Sequence, residues 1–528
     1  MNFFHNQQYN VLIYPRHELI EQHVPEARAL NGQYIAVPRT LRNCQILRWF
    51  NFPVMPVMEG YDWPRSPGIT PYESQKLAAN FMVLHPKCFN LSDMGVGKTL
   101  ATLWAIDWLM KQYPKDTFRA LIVCPLSIMQ RVWGDAIFKN FLSNRSYKVL
   151  HGDAAKRIKL LAEPADFYIC NIDGIGIGAH TRGRFELDGF SKALAERSDI
   201  RLAVVDEASG YKDATTKRHR LARQIIGKRD YLWLLTGTPT PNAPTDAYGL
   251  AKLVNNAFGK SFTTFQQETM VKVSQFMWKP HRDGYDRARR LLSPSIRFDI
   301  KDVWDGPELT TQQREVPLTP DQKKLMLDLK NTLQVTMKQG QAISAANEAA
   351  ARQKFIQISL GAIYDENHRA HHIDAKPRIE ELKTVLAEAP GKTLIFASLT
   401  SVVNLLYREI SKIRKCAVVN GETPQKERSE IFRRFQDEDE LQDIIADPGC
   451  MAHGLDLWRA QTTIWFSPTD KTELYLQANK RAHRPGQKYP VTVVQIVSNP
   501  LEREIYRRLE NNESLQGALL DAVRRGEL

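Results

Sequence analysis

Cys88-Phe-Asn-Leu-Ser-Asp-Met-Gly-Val-Gly-Lys-Thr99 is an apolar run that ends in a glycine-spaced turn and a Lys-Thr pair, and Leu100 to Met110 continues it as a helical pattern. A strand, a tight turn and a helix in that order is the setting in which successive backbone N–H groups converge on a phosphate. Gly95 and Gly97 let the backbone wrap closely. Lys98 is then the group expected to reach the β- and γ-phosphates of ATP, and the Thr99 hydroxyl is the expected ligand of Mg2+. The helix N-terminus adds partial positive charge. Asp93, Met94 and Val96 complete the loop and are assigned to the nucleotide site with the glycines. The first glycine of the usual G-x-x-x-x-G-K-T pattern is Ser92. A glycine-rich turn before Lys-Thr arises often by chance, so the strand-loop-helix setting is what carries the reading.

Two further strand ends follow downstream. Leu202-Ala-Val-Val breaks off at Asp206-Glu207, and paired carboxylates at the C-terminal end of a buried strand stand where α/β sheets place ligands. Need divides their labour: Asp206 to hold magnesium, Glu207 to orient and deprotonate an attacking water. An acidic helix start after a strand explains an isolated Asp-Glu about as well. Leu235-Thr-Gly-Thr-Pro-Thr240 places small hydroxyl residues, Thr236 and Thr238 around Gly237, after another apolar strand. Alone this is a turn; after the first two motifs it is an element that couples phosphate to a second ligand.

Short apolar strands recur in two series, with helical patterns between them. The first is Cys88–Leu91, Ala120–Cys124, Phe167–Cys170, Leu202–Val205 and Tyr231–Leu235; the second is Thr393–Ala397, Ala417–Val419, Asp443–Ala446, Thr462–Phe466 and Val491–Val497. Near-continuous apolar strands alternating with helices indicate parallel sheets covered on both faces, hence two α/β domains. Between them Thr319-Pro-Asp-Gln322 is a capping-box pattern that opens a long helix-forming segment running past Ala349–Ala351. The expected boundaries are a small accessory region over 1–65, a first α/β domain over 66–256, a helical protrusion or linker over 257–372 and a second α/β domain over 373–528.

Across 528 residues the net charge is +13, which favours polyanionic partners. Six cysteines are scattered without a CxxC or Cys/His cluster, so zinc and a disulfide framework are not supported and buried thiols are expected. No apolar run approaches a membrane span, and the N-terminus carries no secretory pattern. A soluble protein of a reducing cytoplasm, without membrane association, is the expectation.

The ordered series of motifs resembles superfamily-two helicases, and their Swi/Snf-type subset most. Tyr72 and Gln75 match its adenine-reading segment, Leu121-Ile-Val-Cys-Pro-Leu-Ser127 with Trp133 its second motif, and Gln477-Ala-Asn-Lys-Arg-Ala-His-Arg-Pro-Gly-Gln487 its last. Val419-Asn-Gly-Glu-Thr-Pro424 with Arg428 and Phe435, and Gly454-Leu-Asp-Leu457, also match. The resemblance spans roughly residues 70 to 510 and implies two RecA-like, doubly wound lobes. It implies a DNA-stimulated ATPase that moves along double-stranded DNA, forked or branched forms left open. A strand-separating DNA or RNA helicase is the alternative, and a poorly hydrolysing, nucleotide-gated binding protein a distant third. On the same resemblance Arg481 and Arg484 are catalytic arginines, Gln477 joins Thr236, Gly237 and Thr238 in coupling, and Gly454 and Asp456 join the nucleotide site. Three features depart from the family: Ser209 stands for its histidine after Asp-Glu-Ala, the loop Asp447 to Gly454 is irregular, and the middle segment is small. Lys217-Arg-His-Arg220 and Arg287-Ala-Arg-Arg290 suit phosphate contacts and solvated charged faces equally well.

Overall fold

Along the first apolar strands, side chains point alternately to opposite faces, and that period of two sorts them into two cores. Leu121 and Val123 enter one cluster with Tyr168, Ala203, Val205, Leu232 and Leu234. Ala120, Ile122 and Cys124 enter the other with Ile169, Leu202, Val204 and Trp233. The computed structural model, which describes residues 3–64, 70–179, 186–274, 277–338, 345–364, 369–451 and 457–511, shows the sheet that separates these cores. Its seven strands are all parallel, in the order Ser295–Ile296, Lys87–Asn90, Tyr231–Leu235, Ile200–Asp206, Arg119–Cys124, Phe167–Asn171 and Tyr147–Leu150.

The second series forms a six-stranded parallel sheet, ordered Leu309–Glu315, Val491–Val497, Ala460–Trp465, Lys392–Phe396, Asp443–Ala446 and Cys416–Val419. Helices such as Lys376–Glu388, Thr400–Ile410, Gln425–Asp437 and Thr472–Ala482 cover it. Both sheets are therefore doubly wound RecA-like lobes, and the chain divides into two units accordingly. Beneath the second sheet the buried Arg378 donates to Phe466 O (2.8 Å), Ser498 Oγ (3.0 Å), Glu502 Oε2 (3.0 Å) and Ile496 O (2.6 Å). A buried cation is tolerated there because each of its three nitrogens has an acceptor.

The first sixty-odd residues form a four-stranded antiparallel sheet, ordered Phe4–Asn6, Val11–Pro15, Tyr34–Pro38 and Arg28–Leu30, with its own core around Leu12, Tyr14, Ile35, Val37 and Leu47. Pro15 and Pro38 stand at strand ends, where a missing N–H costs no ladder bond.

The expectation of a helical linker over 257–372 needs redrawing. Ser295–Ile296 pairs with the phosphate-loop strand, so this stretch completes the first sheet. Leu309–Glu315 is an edge strand of the second sheet. The capping box at Thr319 is formed: Thr319 N donates to Gln322 Oε1 at 2.9 Å, and Gln322 N to Thr319 Oγ1 at 3.4 Å. The helices Pro320–Lys338 and Ala345–Leu360 then lay Met326, Phe355 and Ile356 into the second lobe's core. Burial of those side chains, which the capping pattern alone could not foretell, makes them lobe elements.

All six cysteines are free. Burial lifts the Cys44 thiol to about 11 and the Cys170 thiol to about 12, so both stay protonated and inert. No helix among the described residues is long and apolar enough to cross a membrane.

Candidate nucleotide site

Three neighbouring strands of the first sheet end together. In register, Asn90 faces Leu235, which faces Asp206. Strands lie about 4.8 Å apart, so the phosphate loop, the Thr236 turn and the Asp206-Glu207 pair leave one sheet edge within about 10 Å. This is the C-terminal edge, where parallel sheets bind ligands.

The loop after Lys87–Asn90 turns through Gly95 (φ 88°) and Gly97 (φ 80°) into the fifteen-residue helix Lys98–Gln112. Glycine is required at 97 twice over, since a Cβ there would also lie 1.9 Å from Gln75 Nε2. Lys98 Nζ donates to the carbonyls of Ser92 (2.8 Å) and Asp93 (2.9 Å), which holds the ammonium across the loop. Thr99 sits half-buried in the first helical turn.

Gln75 joins this loop to the segment before it. Its Oε1 accepts from Tyr72 N at 2.9 Å, and its Nε2 donates to Gly97 O at 3.3 Å. Gln75 is buried while Tyr72 is 42% exposed, leaving an accessible ring beside the loop. On the other flank, Thr236 N donates to Asn90 O at 3.1 Å and Thr238 N to Thr236 Oγ1 at 3.1 Å. A Cβ on Gly237 would stand 3.4 Å from Met94 N, so the Thr-Gly-Thr turn abuts the phosphate loop.

Asp206 is buried at its strand end. Its Oδ2 accepts the indole N–H of Trp133 at 3.0 Å and its Oδ1 the backbone N–H of Glu207 at 3.0 Å. Burial raises its pKa, opposed by the charge of Lys98 and by these two donors. Glu207 has left-handed backbone angles (φ 53°), which swing it out of the strand direction. Ser209 follows, buried in the turn Ala208–Tyr211.

The residue that breaks the glycine pattern has a structural use. Ser92 Oγ accepts the N–H of Phe298 at 3.1 Å. Phe89 N, Leu91 N and Asp93 N donate in turn to the carbonyls of Pro294, Ile296 and Phe298 at 3.0, 2.8 and 2.9 Å. The strap of residues 294–298 thus pairs with the strand and with the root of the loop, and Asp93 adds an acceptor for Ile300 N at 3.4 Å. Neither this strap nor the partner of Trp133 was legible beforehand, because backbone pairing and the aim of an indole leave no residue pattern.

In the second lobe, the helix Thr472–Ala482 buries Gln477 and Arg481, and Arg484 lies half-buried just beyond it. Gln477 Nε2 donates to Glu473 Oε1 at 3.2 Å. Gln487 donates to Ala460 O at 2.7 Å and accepts from Lys488 N and Tyr489 N, which fixes the turn after the arginines. Arg428 holds the turn 420–424 through Thr423 O and Asn420 O, both at 2.8 Å. In the irregular loop, Asp447 Oδ1 accepts from Gly449 N at 2.7 Å. Gly454 and Asp456 lie outside the described residues. The basic residues Lys217, Arg218, Arg220, Arg287, Arg289 and Arg290 are exposed on two amphipathic helices, with Arg218 paired to Asp173 at 2.6 Å.

The donor set fits a magnesium nucleotide. Among the described residues no three His, Cys, Asp or Glu side chains gather as a metal site. A cation that keeps its waters and takes phosphate oxygens needs only one or two protein ligands, and Thr99 and Asp206 carry oxygens of the type such a cation would take.

The description "SNF2-related domain" matches residues 78–370 and "Helicase conserved C-terminal domain" residues 377–486. Protein p41 of Acyrthosiphon pisum secondary endosymbiont phage 1 is 24% identical over 486 residues, covering 86% of this chain and 99% of its own. The Bacillus subtilis protein named "Putative ATP-dependent helicase/translocase YwqA" is 22% identical over 452 residues, 81% of this chain and 46% of its own. The chain therefore spans nearly all of the phage protein and about half of that bacterial one. Among solved structures, the Sulfolobus solfataricus SWI2/SNF2 ATPase core in complex with dsDNA is similar at TM-score 0.39 and 20% identity, over 88% of this chain and 95% of that one.

Proposed function

This chain belongs to the SNF2-related family of helicase-like ATPases, and on that premise we propose that it couples ATP hydrolysis to movement along double-stranded DNA. The observation that carries the proposal is the convergence of the phosphate loop, the Thr236 turn and the Asp206-Glu207 pair on one sheet edge. Tyr72 and Gln75 receive the adenine. The amides of residues 93–97 and the ammonium of Lys98 hold the phosphates. Thr99 and Asp206 would hold Mg2+, which would supply positive charge against the phosphates. Glu207 orients the attacking water and takes its proton. Arg481 and Arg484 are assigned as the catalytic arginines, a role worth about 10³–10⁵ in rate. Thr236, Gly237, Thr238 and Gln477 relay the state of the nucleotide to the DNA.

The net charge of +13 and the two exposed basic helices support a duplex partner, since phosphate contacts position a protein without reading sequence. The test is an ATPase assay without nucleic acid and with single strand, duplex, fork and RNA, beside triplex-strand displacement. Duplex should stimulate most, and the triplex strand should be displaced without duplex unwinding. Glu207→Gln and Lys98→Ala should each lower turnover at least about 10²-fold while retaining DNA binding. Stimulation by RNA alone, or normal turnover in Glu207→Gln, overturns the reading.

One observation favours a strand-separating helicase as a second reading. The antiparallel hairpin of Met270–Ser274 and Met277–Pro280 exposes Val271 and Val273, the type of apolar projection that can wedge between paired strands. Forked-duplex unwinding that is lost in Val271→Ser/Val273→Ser would establish it.

A further inference from the structure

Trp133 is a fully buried indole whose one polar atom is directed at a carboxylate of the candidate nucleotide site. Its ring packs among the side chains on one face of the first sheet. The N–H lies 3.0 Å from Asp206 Oδ2, while the backbone N–H of Glu207 lies 3.0 Å from Asp206 Oδ1. Two donors on opposite oxygens fix both the rotation and the plane of a carboxyl group. They also favour its ionised form against the desolvation that burial imposes.

The backbone that delivers the indole is unusual. Between the turn Leu126–Ile128 and the helix Asp135–Phe141, residues Met129–Gly134 form a π-helical turn in which Asp135 N donates to Gln130 O. Such turns insert one residue into a helix and re-aim the side chains around it; they recur at functional positions. Gly134 is constrained here too, since a Cβ would approach the Tyr147 ring and Gln130 Nε2 to 3.0 Å. A core tryptophan needs some acceptor for its N–H. Choosing the strand-end carboxylate, through a widened turn, goes beyond that need.

We propose that Trp133 is a positioning residue of the ATPase: its indole N–H sets the orientation of the Asp206 carboxylate for the magnesium nucleotide. The inference rests on the assignment of Asp206 to the metal. Partners of this kind, one shell behind a ligand, alter metal affinity about 10–100-fold when removed. The same bond ties Asp206 to the π-helical turn Met129–Gly134.

The test uses the full chain and Trp133→Phe, which keeps an aromatic ring in the core and deletes the donor. A second variant carries 3-benzothienylalanine at position 133, an indole-shaped ring with sulfur in place of N–H, in case phenylalanine disturbs packing. Binding of a fluorescent ADP is titrated against Mg2+, and again in EDTA. Both variants should raise the Mg2+ midpoint about tenfold or more and leave binding in EDTA unchanged. An unchanged midpoint in the benzothienyl variant, or an equal loss with and without metal, overturns the proposal. Asp206→Asn runs in parallel: if it moves the midpoint and the Trp133 variants do not, positioning alone is wrong. Should Asp206→Asn itself leave the midpoint in place, the metal assignment falls and the inference with it.

Discussion

Replacing Gly97 with alanine tests the phosphate loop where its geometry is tightest. Two costs act there and can be separated. Alanine at φ +80° incurs the left-handed backbone penalty, about 1–2 kcal/mol. The new Cβ would also sit 1.9 Å from Gln75 Nε2 and 2.9 Å from its Cδ, so the amide has to leave. Leaving breaks its bond to Gly97 O and loosens its hold on Tyr72 N; a buried polar group stranded in this way costs about 1–3 kcal/mol. The expected loss for Gly97→Ala is therefore about 2–5 kcal/mol. Gly60 supplies the control: its φ is +79°, and a Cβ there meets nothing within 4 Å, so Gly60→Ala should lose only the backbone term, about 1–2 kcal/mol. Urea unfolding measures both. A fluorescent ATP analogue should bind Gly97→Ala at least about tenfold more weakly, equivalent to about 1.4 kcal/mol, and Gly60→Ala normally. Equal stability losses in the two variants, with undiminished nucleotide binding in Gly97→Ala, would refute the reasoning.

Other substitutions probe the scaffold. Arg378→Ala strands the buried Glu502 carboxylate and should destabilise the second lobe by about 3–5 kcal/mol; Arg378→Met with Glu502→Leu should recover some of that loss in urea unfolding. Ser92→Ala removes the acceptor of Phe298 N and should cost about 1–3 kcal/mol, read as earlier urea unfolding of the first lobe. Arg507 and Arg508 hold the Glu504 carboxyl down to about 2. A depressed acid stabilises the fold above its unfolded pKa, near 4.5, and loses that contribution as pH falls towards 2. Glu504→Gln should accordingly lower stability in urea unfolding at pH 7, by no more than about 1 kcal/mol because the Arg507 partner is half exposed and screened, and the gap to wild type should narrow by pH 3.

Core strands were legible in the sequence because burial on both faces leaves them continuously apolar. Ile200–Asp206 and Tyr231–Leu235 announce themselves so, and each ends at a polar motif. Leu309–Glu315 was not legible for the opposite reason. An edge strand reading Leu-Thr-Thr-Gln-Gln-Arg-Glu is almost wholly exposed and is held by its backbone ladder with Val491–Val497. Its side chains add polar pairs, such as Gln313 to Gln495 at 2.8 Å and Arg314 to Glu388. The phosphate loop declared itself through residue types that φ demands, Gly95 and Gly97. Ser92 read there as a lapse, because its partner Phe298 lies two hundred residues away and bonds through backbone.

The pairing of residues 294–298 with Phe89, Leu91 and Asp93 fixes how this region of the molecule breathes. Amides that share one ladder open together, so the root of the loop and residues 294–298 should exchange hydrogen with solvent as one block. A nucleotide that slows exchange at Leu91 and Asp93 slows it equally at Phe298. A ligand bound at the loop would then be felt through the peptide backbone at residues 294–298 as well.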